Sequence, residues 1–406
     1  MTGKPLRKRC FCRSTTTLVA MAVASAVPAL GLAGCSTTDP PGRAAAVAPA
    51  VPTPLATSVQ TADGTWATIP MGRLGEPLNT FWQLLFEPAG TAAWSNQVEA
   101  TATATNGGLV LTSVGRQLLV GVRPSVDLTF TPLVSTADAA RSWSEGLITA
   151  RLAARPAALA AGPGGHAVAL VDGAGGARVL SSAGDISKWR TVTTETALAA
   201  TGPGRRCGLG ALPAVGYLAG QALLGGSCAR PGVVGIWARR AGEWRLTGPG
   251  LPASLGRDEV EVLSLGQAKT GAYGLLAVVG GHVTDIVAAW SGPGGRWTTS
   301  APLALTGGEQ VASFGPTDGA GLFVLLRAPS GRAALMMADG PGAAWRGAPS
   351  PPAGTATVAF GAGAGSPAYA LVAAGTKLTI WSLRPRASTW APGQVMHVHI
   401  QYGSSS

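Results

Sequence analysis

The chain reads as all-β: a seven-bladed β-propeller of four-stranded blades, preceded by a signal peptide and a flexible tether. Three observations predict this. First, 58 Gly and 30 Pro punctuate the 406 residues, too often for long helices, while 46% hydrophobic residues supply a core and exclude a disordered chain. Second, Trp94, Trp143, Trp189, Trp244, Trp297, Trp345 and Trp390 recur at spacings of 49, 46, 55, 53, 48 and 45. Third, short apolar runs separated by Gly/Pro turns fill each interval. A period near 50 residues with several strands per unit marks a propeller. A pair of β-sandwiches with scattered Trp is the alternative.

The N-terminus is set aside before the fold is read. Residues 1–13 hold Lys4, Arg7, Lys8, Arg9 and Arg13 and no acid, and an apolar run follows from Leu18 to Gly34. It ends in Leu32-Ala33-Gly34-Cys35. This basic, apolar, small-residue, Cys order resembles a bacterial lipoprotein signal with its lipobox. The resemblance implies cleavage between Gly34 and Cys35, a lipid-modified (diacylglyceryl, palmitate-type) Cys35, and a mature chain on the extracytoplasmic face of the cell membrane. The competing reading is a transmembrane anchor; the run is short, Ala-rich and broken by Pro28, a marginal span. Residues 35–57 then read as the lipidated Cys and a Pro/Ala-rich tether without aromatics.

Removing the signal changes the charge. The whole chain is +11, but the mature chain keeps 25 basic and 19 acidic residues, a net +6. No run of four Lys/Arg remains, and export argues against nucleic acid as a partner. Of five Cys, Cys10 and Cys12 leave with the signal and Cys35 takes lipid. Cys207 and Cys228 remain, an even pair in an oxidising compartment, and are expected to form a disulfide pinning one hairpin.

The body, residues 58–406, divides into seven units of about 50 residues. One unit reads in full: strands over Glu259–Leu265, Gly274–Val279, Asp285–Trp290 and Trp297–Ala301, the last reached through a Gly/Pro turn. The unit ending at Trp390 repeats it with Ala356–Phe360, Ala368–Val372, Lys377–Trp381 and Thr389 onward. The first unit reads one strand short, with strands near Trp66, Thr80–Phe86 and Trp94. The last carries a spare strand, Gln394–Tyr402. The expectation is that the spare strand completes the first blade and closes the ring, removing both exposed edges.

Thr136-Ala-Asp138-Ala-Ala140-Arg-Ser142-Trp143 resembles an Asp-box, the Ser/Thr-x-Asp-x-Gly-x-x-Trp turn of sialidase-like propellers, with Ala140 in the usual Gly position. The resemblance implies that Asp138 and its hydroxyl partner bind local backbone, that the Trp packs between blades, and that the motif is structural. It extends to one unit by full motif and to the rest by period.

Residues for chemistry are sparse. Sialidases of this superfamily use an Arg triad, a Tyr activated by Glu and an Asp. Here Tyr217, Tyr273, Tyr369 and Tyr402 have no Glu adjacent in sequence, and no pair of carboxylates can be singled out for glycoside hydrolysis. No catalytic residue is assigned. His397 and His399 share one face of a strand and are weak metal candidates beside the blander reading of solvated edge residues; His166 reads as a turn residue. No metal or cofactor is expected. Arg73, Arg116, Arg123, Arg141, Arg151, Arg155, Arg205 and Arg206 are either surface charge or, on the channel or rim, a grip for an anionic polymer or acidic protein. The expected role is a non-catalytic binding or scaffolding platform for an envelope protein or glycan; the alternative is a sialidase-like glycan-cleaving enzyme.

Overall fold

The computed structural model describes residues 56–74, 76, 79–97, 107–123, 130–149, 156–171, 176–268, 271–281, 283–317 and 320–399. The signal, the lipobox and nearly all of the tether lie outside them.

The described residues are nearly all β and fold as a propeller. Their ladders trace consecutive antiparallel meanders. The first is β1 (Ala56–Thr61), β2 (Gly64–Gly72), β3 (Thr80–Pro88) and β4 (Ser95–Asn96). The second is β5 (Leu109–Val114), β6 (Gln117–Val122), β7 (Phe130–Thr136) and β8 (Ser144–Thr149). The third is β9 (Pro156–Ala161), β10 (His166–Val171), β11 (Arg178–Ala183) and β12 (Arg190–Thr194). Two short helices, α1 (Glu195–Ala199) and α2 (Gly202–Cys207), lead to the fourth: β13 (Leu209–Leu218), β14 (Gln221–Cys228), β15 (Gly235–Arg240) and β16 (Glu243–Leu246). The fifth is β17 (Glu259–Ala268), β18 (Gly271–Gly280) and β19 (Val283–Ser291), with an outer strand split into β20 (Trp297–Thr299) and β21 (Leu303–Leu305). The sixth is β22 (Gln310–Pro316), β23 (Leu322–Arg327), β24 (Ala333–Ala338) and β25 (Arg346–Gly347). The last is β26 (Thr355–Phe360), β27 (Ala368–Ala374), β28 (Lys377–Leu383) and β29 (Ala391–His397).

The core lies between meanders, because each sheet is apolar on both faces and must cover both. Leu84 and Phe86 of the first meander pack on Leu118 and Val120 of the second. Leu133 and Ile148 of the second meet Ala169 and Leu180 of the third. The same holds for Val168 with Val215, Leu223 with Val262, Ala277 with Val324, and Leu325 with Val358. The last seam returns to the start: Ile69, Met71 and Leu85 pack on Ala359, Leu371 and Ile380.

That seam corrects the expected closure. Gln394–His397 belongs to β29 and pairs with β28 of its own meander, Lys377 opposite His397. The first meander is complete without it, because Ala56–Thr61, read largely as tether and loop, forms β1 against β2. Closure therefore rests on side-chain packing, one backbone bridge, Gly72 N–H to Gly375 C=O at 3.0 Å, and side-chain hydrogen bonds across the seam.

The inner strands are not evenly arranged. β1 pairs directly with β22 in parallel, Ala56 opposite Ser313 and Thr57 opposite Phe314. β26 is displaced behind this ladder and is buried along its whole length. Its polar groups are taken up there: Thr357 Oγ1 donates to Thr68 C=O at 2.7 Å, and Thr65 Oγ1 donates to Phe360 C=O at 2.9 Å.

Candidate functional site: the central channel

Six inner strands, β1, β5, β9, β13, β17 and β22, enclose a cavity of about 630 Å³. The last meander contributes only Ala362 and Gly363 to its wall, as the withdrawal of β26 requires. Apolar side chains such as Val59, Leu111 and Leu263 alternate with Thr57, Ser113, Ser264, Gln60 and Gln267. Glu261 is the one charged residue among the described lining residues.

The wall's amide donors are largely committed to holding the ring. Gln60 Nε2 lies within bonding distance of the carbonyls of Thr317, Phe360 and Gly361, at 3.3, 3.0 and 3.4 Å. Ser113 Oγ donates to Gln60 C=O at 2.8 Å, and Thr61 Oγ1 donates to Gly64 C=O at 3.3 Å. Acceptors are left over. Gln267 Oε1 is buried without a partner among the described residues. Glu261 is half-buried and has no hydrogen bond or ion pair among the described residues, and burial raises its carboxyl above the ordinary range. Tyr273 lies on the wall with its ring over Gly266, the residue opposite it in the ladder, where any Cβ would meet the ring at 2.1 Å. Burial pushes its phenol up to about 12.

The recurring Trp sit elsewhere, in the seams. Trp94 lies in the seam between first and last meanders, Trp143 in the next, and Trp189, Trp244, Trp297, Trp345 and Trp390 follow in the successive seams. Each comes from the turn or strand at the outer end of its own meander and packs toward the meander before it. Indole Nε1 of Trp94, Trp297 and Trp345 has no hydrogen-bond partner among the described residues, so these rings act by volume and shape. Trp143 meets Trp66 edge-on at 5.9 Å, and Trp94 meets Tyr369 edge-on at 5.2 Å.

Acids hold several of the turns in front of these Trp. Asp138 Oδ1 accepts from Ser142 N–H at 3.0 Å and from Thr136 Oγ1 at 2.9 Å, and Oδ2 accepts from Ser142 Oγ at 2.6 Å. The Ser142 hydroxyl and N–H hold the Asp138 carboxyl down at about 2. Sequence comparison with the full motif missed three further acids in related roles. Asp185 accepts from Ser187 N–H at 2.9 Å. Asp339 takes Arg346 in a two-point pair at 2.8 and 2.9 Å. Glu87 accepts from Ala92 N–H at 3.0 Å. The shared signal is an acid four to seven residues before the Trp.

Glu87 also receives Tyr369 OH at 3.4 Å. A Tyr–Glu pair therefore exists, although no Tyr has a Glu near it in sequence. Both residues are 2% exposed and sealed in the closing seam, outside the cavity wall. Burial raises the Glu87 carboxyl, and burial beside Glu87 raises the Tyr369 phenol.

The other candidates are dispersed. His397 and His399 are exposed on and just after the outer strand β29, and His166 is exposed at the start of β10. No group of three or more His, Cys, Asp or Glu that could hold a metal occurs among the described residues. None of the described Arg lines the cavity. Arg116 pairs with Asp63 at 2.9 Å and Arg73 lies 3.6 Å from Glu76, both at the surface; Arg205 donates to Ala200 C=O. Arg151, Arg155 and Tyr402, with Gly34 and Cys35, lie outside the described residues. Cys207 and Cys228 are joined as a disulfide. It joins the end of α2, two residues before β13, to the end of β14, with Leu209 opposite Cys228 in the ladder, so it pins the base of the β13–β14 hairpin, as expected, and the helical insertion with it.

No protein-family model matches the chain, and no curated protein matches it. Solved structures resemble it in fold. A protein provisionally assigned as a 6-phosphogluconolactonase from Bacteroides fragilis aligns over 84% of this chain and 97% of its own, with TM-score 0.50 and 10% identity. The BP39L lectin from Burkholderia pseudomallei aligns over 85% and 98%, with TM-score 0.49 and 15% identity. YCF48 from Cyanidioschyzon merolae aligns over 82% and 98%, with TM-score 0.47 and 15% identity. At these identities the likeness is one of β-propeller fold alone.

Proposed function

We propose that this protein is a lipid-anchored, extracytoplasmic binding platform: a seven-bladed propeller tethered through residues 35–57 to a lipid on Cys35, released from its signal after Gly34, and engaging an envelope protein or glycan through its central channel. The channel carries this reading. It is a preformed cavity inside a rigid ring, with apolar wall and a few polar groups, the general form of a ligand site. The described lining holds one carboxylate, whereas glycoside hydrolysis uses two. The one Tyr–Glu hydrogen bond among the described residues is walled into a seam. Those features favour binding over glycan cleavage. The lipobox pattern and the even Cys pair support the anchored, exported setting.

A soluble form beginning at Ser36, mixed with isolated cell envelope, tests the platform. Retention on the envelope is expected, with release when Ser264→Trp fills the channel. Retention lost after protease treatment of the envelope identifies a protein receptor; retention that survives identifies a glycan. A chain that stays in solution with every envelope sample overturns the reading. Cys35→Ala is expected to move the full chain from the membrane fraction to the soluble one.

A further inference from the structure

We infer that the channel receives an extended peptide segment and selects one bearing a cationic side chain, with Glu261 as the residue that reads the charge. The inference rests on the channel being the binding site.

Three features of the wall lead there. The first is charge. The described lining contains Glu261 and no Lys, Arg or His. A half-buried carboxylate with no partner is costly to hold. A ligand cation placed against it would recover that cost, whereas an anionic polymer would meet repulsion in a space of low dielectric. The second is hydrogen-bond polarity. Gln60 amide, Ser113 and Thr61 donate to the protein's own carbonyls, while Gln267 Oε1 is left as a buried acceptor without a donor among the described residues. The channel thus offers acceptors at two levels of one strand, Glu261 and Gln267, to a ligand rich in N–H groups.

The third is shape. Glu261 and Gln267 both line the wall and lie six positions apart on β17, which corresponds to roughly 20 Å of extended strand before allowing for the bulge between Val262 and Ser264. A groove of that length suits about six extended residues. Its apolar walls suit side chains. A glycan would be expected to find exposed aromatic faces for its sugar rings, but Tyr273 and Phe314, the aromatics of the lining, are 6% and 8% exposed and belong to the wall itself.

The test uses the full chain in detergent and an array of immobilised random octapeptides, each made with Lys, norleucine or Glu at one central position. Binding to the full chain is expected to be at least about tenfold tighter for Lys versions than for their norleucine partners. Glu261→Gln is expected to bring that ratio close to unity, its melting curve showing the fold retained. Equal binding of Lys and norleucine versions, a preference that survives Glu261→Gln, or no peptide binding at all overturns the inference. Envelope retention that is lost in Ser264→Trp yet indifferent to Glu261→Gln overturns it while leaving the channel as the site. Retention unaffected by Ser264→Trp removes the channel itself, and the inference with it.

Discussion

The closing seam and the channel wall each hold a glutamate taken out of water, and the protein treats the two differently. Glu87 is 2% exposed and receives Ala92 N–H and Tyr369 OH. Glu261 is half-buried and receives nothing among the described residues. Burial raises both carboxyls. In the seam, the hydrogen bonds to Oε1 offset part of that cost and tie the last meander to the first, while Oε2 stays buried without a partner among the described residues. In the channel no hydrogen bond or ion pair from the described residues meets the half-buried carboxylate. What separates the two is place: Glu87 is sealed in a seam and serves architecture, while Glu261 lines the cavity and is within reach of a ligand.

The largest effect that could break this contrast comes from the seam. Closure depends on packing together with the hydrogen bonds across the seam, so removing its largest ring should weaken it. Trp94→Ala is expected to cost about 3–5 kcal/mol, since Trp94 is 3% exposed, stacks edge-on against Tyr369, and has its backbone clasped by the Gln394 side chain at 2.8 and 2.7 Å. Denaturant unfolding followed by Trp fluorescence measures this. A loss under 1 kcal/mol would mean that the seam is not what closes the ring. Glu87→Ala comes next. It strands Tyr369 OH in a dry interface and removes the acceptor for the N–H of exposed Ala92, for an expected loss of about 1–3 kcal/mol.

These predictions also mark how far the sequence could be read. The Trp period was legible because each ring serves one seam, so the repeat in sequence is the repeat in packing. The strand Ala56–Thr61 was not, because Ala-Thr-Ser-Val-Gln-Thr carries no aromatic and follows a Pro-rich segment. Missing it left the first unit a strand short and made Gln394–Tyr402 seem spare. The Glu87–Tyr369 contact joins residues 282 positions apart, a separation set by ring closure and invisible to any local pattern. Glu261 was hidden in another way. In Glu-Val-Glu-Val it alternates with buried Val260 and Val262 as a solvent-facing acid would, and only closure of the ring turns that outward face into a channel wall.

The sign at Glu261 should be opposite to that at Glu87. Removing an uncompensated charge stabilises the fold, so Glu261→Gln is expected to gain about 1 kcal/mol at neutral pH. The pH dependence follows from the raised carboxyl. Between the unfolded value near 4.5 and the higher folded value, the folded chain holds a proton that the unfolded chain has lost. Stability therefore falls as pH rises through that window. The gain from Glu261→Gln should be near zero at pH 4 and full at pH 7, read as a difference between thermal midpoints. A loss at pH 7 would show that Glu261 has a structural partner after all, and the contrast with Glu87 would collapse.

The smallest effect sharpens the seam side of the comparison. The turn before Trp143 is held by Asp138, yet its chain runs through Ala139 and Ala140 at φ of 60° and 65°, a left-handed conformation that costs an L-residue about 1 kcal/mol. The Glu87 turn pays the same toll once, at Ala92 with φ of 55°. Ala140 stands where the resembling motif has Gly, so Ala140→Gly restores a residue without that penalty. The gain is reduced by the greater chain entropy of Gly and by loss of a methyl packed on the seam cluster. A net gain of about 0.5 kcal/mol is expected, visible as a small rise in the thermal midpoint. Ala92→Gly should give a gain of the same size if the two turns are equivalent devices. Should Ala140→Gly lower the midpoint instead, the methyl contact with the Trp66–Trp143 cluster outweighs the backbone strain, and the turn is held by packing more than by the Asp138 hydrogen bonds.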